Sequence, residues 1–189
     1  GPENVVGASV TDIFPAALQN ATWTCSSDTP PAGTLIKIEE EIDPLATPVY
    51  YLNGARAIAV DSGGGFVYMV SEISDSLSSF ARDGASGELD FVEAAVEGVG
   101  GVTGLDGAYD LALLPNGEFL YVASPGSGKV AAFDANPNTG EVALLSGGTY
   151  AVAGAKGVGV SPDGEHVYVA ADDRVAAFTR EDLGTLFAL

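Results

Sequence analysis

The stretch SPDGEHVYVA, residues 161–170, places a Pro-Asp-Gly turn directly before a run in which valines alternate with other residues. Proline fixes its own φ and glycine accepts a positive φ, so this turn type is suited to joining two antiparallel strands. The alternation after the turn is typical of a strand with one buried face. The stretch therefore predicts a β-hairpin, and the fold depends on whether this hairpin occurs once or recurs.

The hairpin occurs three times in the chain. The copies begin at Ala55, Ala108 and Ala155 and align without a gap. The match extends into the second half of each copy, where a phenylalanine precedes a polar turn, a glycine and a last apolar strand. The aligned tyrosines are Tyr68, Tyr121 and Tyr168, and the aligned phenylalanines are Phe80, Phe133 and Phe178. Each copy thus predicts four short strands separated by turns, with no helical periodicity.

Four-stranded antiparallel units repeated at this period are typical of β-propeller blades. We therefore predict an all-β fold, a partial β-propeller of three four-stranded blades plus one extra N-terminal strand. The blades cover about 55–95, 108–146 and 155–189, and the extra strand covers 32–41, which resembles the last strand of a blade. A β-sandwich is the alternative fold, but it does not require this internal repetition.

The turns and strands of these copies resemble the YVTN-type, lactonase-like β-propeller family. The similarity lies in VSPDGEHVYVA, LPNGEFLYVASPGSGKVAAFDANPNTGEV and GVGGVTGLDGAYDLAL and covers about residues 32–189. Members of that family normally have seven blades and include bacterial phosphogluconolactonases and surface proteins without a known reaction. The resemblance implies a segment of a larger ring, because three blades and one strand cannot close it.

Residues 1–31 are predicted to form a tail or the remnant of a separate module. Their first part, GPENVVGASVTDIFPAALQNATWTC, is similar to a bacterial surface Ig-like repeat domain of unknown function. This stretch contains Cys25, the single cysteine, so no internal disulfide and no CxxC site is possible. Cys25 is either a small apolar residue or a thiol with a partner outside the chain.

The charge balance excludes some partners. The chain carries 26 acidic and 7 basic residues, a formal net charge of −19. Such a chain repels phosphate backbones and anionic membrane surfaces, so we expect no nucleic acid partner. No apolar run approaches the roughly 18 residues that a bilayer crossing needs, so we expect no membrane insertion. The acidic, lysine-poor composition favours a secreted or cell-surface location in bacteria. Expected partners are further blades of a parent protein or a second copy, and a protein or carbohydrate ligand.

Loops that lead into the innermost strands are where propellers usually bind ligands. The corresponding residues are Arg56, Tyr109 and Lys156, which differ while their surroundings repeat. The turns before the first two begin at Asn53 and Asp106. We predict a ligand-binding rim from these five residues, in which the two cations would suit a phosphorylated or carboxylated sugar lactone. The alternative is that they are solvated strand ends.

The sequence predicts no catalytic residues, no metal site and no cofactor. His166, the single histidine, occupies the position of a phenylalanine in the other two copies, which favours packing between blades over a catalytic role. No G-x-S-x-G motif presents a serine nucleophile. The acidic pair Asp172-Asp173 and the run Glu39–Glu41 lack the spacing of a calcium loop. GVGGVTGLDG matches no phosphate-binding pattern.

These observations favour a non-catalytic scaffold or binding segment of a secreted or cell-surface bacterial protein. The alternative is a lactonase-like hydrolase acting on a sugar lactone such as a phosphogluconolactone, in which cationic rim groups polarise the lactone carbonyl.

Overall fold

A computed structural model gives the fold of the chain, which divides into two compact units, Gly1–Ile36 and Lys37–Leu189. The residues that it describes are 34, 35, 37–42, 50–181 and 184–189. Every strand among them lies in the second unit. The predicted tail, 1–31, and Cys25 within it lie outside the described residues.

The described residues form twelve strands and no helix. The strands make three four-stranded antiparallel sheets, each in chain order, which confirms the all-β fold and the three predicted blades. The strands of blade 1 are β1 (Ala55–Val60), β2 (Phe66–Ser71), β3 (Ser76–Arg82) and β4 (Leu89–Val96). Those of blade 2 are β5 (Asp110–Leu113), β6 (Phe119–Ser124), β7 (Lys129–Ala135) and β8 (Val142–Ala151). Those of blade 3 are β9 (Gly157–Val160), β10 (His166–Ala171), β11 (Arg174–Arg180) and β12 (Leu186–Ala188).

Turn glycines close the first hairpin of every blade. Gly64, Gly117 and Gly164 have φ values of 70°, 78° and 74°, a region that side chains other than glycine rarely adopt. Their amides donate to the carbonyls of Asp61, Leu114 and Ser161 at 2.9, 2.9 and 2.8 Å. The positive-φ glycine expected from SPDGEHVYVA is therefore present in all three blades, whereas the proline is present only in blades 2 and 3, as Pro115 and Pro162.

The hydrophobic core lies between blades. One cluster joins Tyr68 and Leu77 of blade 1 to Leu111 and Val122 of blade 2. A second cluster joins Tyr121 of blade 2 to the facing residues of blade 3. Because each sheet alternates its side chains between two faces, each blade is stabilised mainly by its neighbours.

A phenylalanine-to-glycine contact recurs at both blade interfaces. The ring of Phe66 lies against Gly140, with its Cδ1 atom 2.4 Å from the place that a β-carbon on Gly140 would occupy. Phe119 lies against Gly184 in the same way: its Cδ1 atom is 2.5 Å from the place that a β-carbon on Gly184 would occupy. The third residue at this position is His166, which stacks on Tyr168 with ring centroids 6.3 Å apart. No further blade lies against this face of blade 3 within the described part of the chain.

The extra strand expected over 32–41 is not formed by the described residues of that segment, which lie outside every strand. The physical reason is that no described strand lies beside it to complete a ladder. Glu39 nevertheless accepts a hydrogen bond from the amide of Leu89, as Glu93 does from the amide of Val142. Glu39 and Glu93 align in the repeat, so the segment contacts blade 1 as the outer strand of one blade contacts the next.

The two ends of the stack leave apolar residues exposed. On the outer face of blade 3, Tyr168 is 45% exposed, whereas Tyr68 and Tyr121 at the same position are fully buried. On the opposite face of blade 1, Ile58 is 63% exposed, whereas its counterpart Leu111 is 7% exposed.

Among the described residues there is no helix with the length and apolar character that a bilayer crossing requires.

Candidate functional site

The inner strands β1, β5 and β9 lie side by side, and each begins at the same end of the stack. Arg56 is the second residue of β1, Tyr109 immediately precedes β5, and Lys156 immediately precedes β9. The structure therefore places these three predicted residues at equivalent positions of three successive blades. We call these three residues the rim.

Two of the rim residues are in contact. The guanidinium carbon of Arg56 lies 4.6 Å from the centroid of the Tyr109 ring, a cation–π geometry. The pKa of Lys156 is raised, chiefly by the hydrogen bond and the charge of Asp172, with a smaller contribution from the Tyr109 phenol. Lys156 holds the equivalent position of the next blade.

Each rim cation pairs with a carboxylate that sequence reasoning did not single out as a site residue. Arg56 Nε donates to Glu72 Oε2 at 2.6 Å, and Lys156 Nζ donates to Asp172 Oδ1 at 2.7 Å. The first two strands of a blade are antiparallel, so the residue after the second strand returns to the start of the first. The signal was present in the repeat, because Glu72 and Asp172 follow their cations at the same spacing; blade 2 has Pro125 there.

The other two predicted residues act through their backbones in the contacts that the structure gives. The Asn53 carbonyl accepts from the amide of Ser74 at 3.1 Å, and the Asp106 carbonyl accepts from the amide of Ser127 at 3.0 Å. Both contacts tie the turn before an inner strand to the next hairpin of the same blade. Asn53 and Asp106 are therefore placed beside the rim as turn residues.

Asp75 connects blades 1 and 2 at this end of the stack. It has a φ of 50°, which is uncommon for a residue other than glycine, and it aligns with Gly128 of blade 2. Its Oδ1 atom accepts from the amide of Gly107 at 2.7 Å. This contact fixes the turn before Tyr109, and an aspartate in a glycine position was the available sequence signal.

His166 does not join the rim. It begins β10, whereas Asp172 immediately follows the end of the same strand, about 20 Å away along an extended chain. Potential ligand atoms of His166, Asp163 and Glu165 lie within 4.8 Å of one another. Asp163 already accepts from the Glu165 amide at 3.0 Å and from the Ser161 hydroxyl, so the carboxylate has a structural role in the turn.

A groove of about 660 Å³ lies at the outer edge of blades 1 and 2, away from the rim. Its lining includes four carboxylates and one aromatic ring: Glu93, Glu118, Asp134, Glu141 and Phe119. In this groove Glu93 accepts a hydrogen bond from the amide of Val142.

The sequence model of the family described as "Lactonase, 7-bladed beta-propeller" matches residues 39–187. The chain belongs to this family. The match includes all three blades, the rim and Glu39 of the preceding segment, so the resemblance predicted from the turns and strands is confirmed. No curated protein matches the sequence of this lactonase-family chain.

Solved structures show the same fold. The periplasmic gluconolactonase of Pseudomonas aeruginosa is 26% identical, with a TM-score of 0.63 over 72% of this chain and 39% of that protein. A Bacteroides fragilis protein provisionally assigned as a 6-phosphogluconolactonase is 23% identical, with a TM-score of 0.64 over 76% of this chain and 39% of that one. A functionally unknown protein of Desulfotomaculum acetoxidans is 24% identical, with a TM-score of 0.61 over 76% of this chain and 43% of that one. The lactonase-family chain thus spans about two fifths of the length of each of these proteins.

Proposed function

We propose that this chain is a non-catalytic binding segment of a β-propeller and that a small polar ligand binds at the rim. The observation that best supports this function is the convergence of Arg56, Tyr109 and Lys156 at one end of three successive blades. An aromatic ring with hydrogen-bond donors and acceptors around it is the usual composition of a site for a small polar molecule. Carbohydrate is the ligand class that this combination favours.

Lactone hydrolysis is the second candidate, and family membership favours it. Hydrolysis of a lactone needs a base to activate water and a positive group near the developing oxyanion. Glu72 and Asp172 are the rim carboxylates, and the Lys156 ammonium lowers the pKa of Asp172, which weakens it as a base. Because both rim cations are already paired with carboxylates, the rim chemistry supports binding more than hydrolysis.

The experiment that separates the two functions mixes the purified chain with a panel of sugar lactones and follows acid release at constant pH. In parallel, calorimetry measures binding of neutral sugars to the parent chain, to Lys156→Gln and to Lys37→Gln. Lys37 is a suitable control because it pairs with Glu40 in the segment before blade 1. We expect sugar binding that is weakened only by Lys156→Gln, and no acid release above the uncatalysed rate. Turnover that Lys156→Gln abolishes and Lys37→Gln preserves would establish the enzyme instead.

The exposed outer face of blade 3 indicates where a protein partner would bind. We propose that a further blade of a parent protein or a second copy covers the outer face of blade 3, since Tyr168 and Val175 are 45% and 70% exposed there. A secreted or cell-surface location belongs to the same proposal and rests on the acidic composition.

A further inference from the structure

The charge arrangement of the rim bears on which ligands it accepts. Arg56 and Lys156 would attract an anion strongly only if nearby carboxylates did not already neutralise their charge. Glu72 lies 2.6 Å from Arg56 Nε, and Asp172 lies 2.7 Å from Lys156 Nζ. The four side chains together carry no net charge.

The fold brings both carboxylates to the start of an inner strand. Glu72 and Asp172 each immediately follow the second strand of a blade, and the amide of Glu72 donates to the carbonyl of Gly54 at 2.9 Å. A β-carbon on Gly154 would lie 2.4 Å from Asp172 Oδ2, so the glycine before β9 leaves room for this carboxylate. An anion that approached either cation would therefore remain close to a carboxylate.

Exposed ion pairs of this kind are individually weak. A phosphate dianion is attracted by the two cations and repelled by the two carboxylates, so the paired side chains offer it no net attraction. Asp106, in the turn before β5, adds negative charge at this end, whereas Asp173 is paired with Arg174 Nη1 at 3.2 Å. The chain as a whole carries a net charge of −19.

A neutral polyhydroxylated ring meets no such repulsion. Its hydroxyl groups can donate to Glu72 and Asp172 and accept from Arg56 and Lys156, which are the strong, charge-assisted hydrogen bonds of a sugar site. Tyr109 supplies an aromatic surface beside the Arg56–Glu72 pair.

We propose that Glu72 and Asp172 determine the ligand specificity of the rim, so that it accepts an uncharged sugar and rejects the corresponding sugar phosphate. This inference rests on the proposed binding function. It reverses the expectation from sequence that Arg56 and Lys156 would serve as contacts for a phosphorylated or carboxylated lactone.

Glucose and glucose 6-phosphate form a matched pair of probes, because they differ only in the phosphate. Calorimetry would measure both with the parent chain, with the double variant Glu72→Gln/Asp172→Asn, and with the control Asp90→Asn/Glu165→Gln. The control removes two exposed carboxylates from β4 and from the β9–β10 turn, away from the rim. Gln and Asn retain an acceptor oxygen for sugar hydroxyls.

We expect the parent chain to bind glucose at least about tenfold more tightly than glucose 6-phosphate, and the rim double variant to bring the two affinities together. The control should retain the preference of the parent chain. Equal or tighter binding of glucose 6-phosphate by the parent chain would overturn the specificity while leaving the proposed binding function intact. An equal gain in the control would show that net charge alone matters and would also overturn it. If no chain binds either probe, the binding function and this inference both fail.

Discussion

Tyr68 and Tyr121 occupy the same position in consecutive blades and are both fully buried, yet their hydroxyl groups differ. Tyr121 donates to the carbonyl of Gly184 in blade 3 at 3.0 Å. Tyr68 OH has no hydrogen-bond partner among the described residues, and burial, helped by the charge of Asp61, raises its pKa to about 12. A buried hydroxyl without a partner costs free energy, whereas a bonded one contributes to stability.

We expect Tyr121→Phe to lower the free energy of unfolding by about 0.5–1.5 kcal/mol, because it removes this bond and leaves the Gly184 carbonyl without the donor. Tyr68→Phe, its matched control, should leave that free energy unchanged or slightly increased. Urea unfolding of the two variants and the parent chain measures the difference. Equal losses in both variants would contradict the assignment.

The Lys156–Asp172 pair predicts an altered titration at the rim. Lys156 lowers the pKa of Asp172 below the ordinary value of an aspartate, mainly through a hydrogen bond and secondly through its charge. A carboxyl group with a lowered pKa in the folded state stabilises the fold above its ordinary pKa, and this stabilisation is lost as the pH falls through the lowered value.

Carboxyl-carbon NMR should therefore show Asp172 titrating below the ordinary aspartate range, and Lys156→Gln should move its midpoint upward. Asp83 is an internal control, because its pKa is lowered by hydrogen bonds from Ser86 and Ala85 and not by Lys156. An unchanged Asp172 midpoint in Lys156→Gln would refute the pair.

Part of this residue-level detail could be predicted from the sequence. The repeat alignment located Arg56, Tyr109 and Lys156, because positions that vary inside a constant framework are visible without a structure. The carboxylate partners were missed as site residues because pairing depends on how the second strand returns to the start of the first. That register is visible only once the hairpin is built.

At the level of the elements, the contacts between blades depend on turn glycines of the outer strands. Gly140 has a φ of 75°, and a β-carbon there would meet the ring of Phe66 at 2.4 Å. Gly117 has a similar φ of 78°, but a β-carbon there would meet nothing within 4 Å. The two glycines share the backbone strain that alanine would introduce and differ only in the contact.

We expect Gly140→Ala to destabilise the chain by about 1–3 kcal/mol more than Gly117→Ala, because only the former forces a ring in the blade interface to move. Urea unfolding of both single variants tests this. Combining Gly140→Ala with Phe66→Ala should cost less than the sum of the two single losses, because the smaller side chain removes the clash. Indistinguishable losses for the two glycine variants would contradict the described packing.

The four-strand blade followed from the sequence because every strand carries its own turn signal and alternation. In the segment 32–41, local sequence signals were not sufficient to predict whether a strand forms. Its sequence is that of an outer strand, and Glu39 makes the contact that Glu93 makes in the repeat. Strand formation, however, also needs a neighbouring strand, which local sequence does not supply.

At the scale of the whole molecule, the stack presents two open blade faces that carry apolar side chains. Val175 on the outer face of blade 3 is 70% exposed, whereas Leu77 and Val130 at the same position are fully buried. Exposed apolar surface favours association by roughly 25 cal/mol per Å² removed from water, and the net charge of −19 opposes it.

The chain should therefore self-associate, and more strongly at high salt, because screening weakens the repulsion between copies. Sedimentation equilibrium at low and high salt measures this for the parent chain and for Tyr168→Ser/Val175→Ser, which should associate less. Ser62→Ala, a change at an exposed serine in the β1–β2 turn, provides a control that should behave as the parent chain does. A monomer at both salt concentrations would show that the open faces do not drive association.

In the proposed function the rim is a ligand-binding site to which three successive blades each contribute one residue, with Tyr109 in the middle blade. NMR of the chain with isotope-labelled tyrosine rings, titrated with glucose, tests this most directly. The account predicts that the Tyr109 ring signals shift with saturation while those of Tyr121, buried between blades 2 and 3, stay in place. Unchanged Tyr109 signals at saturating glucose, or equal shifts of both rings, would contradict it.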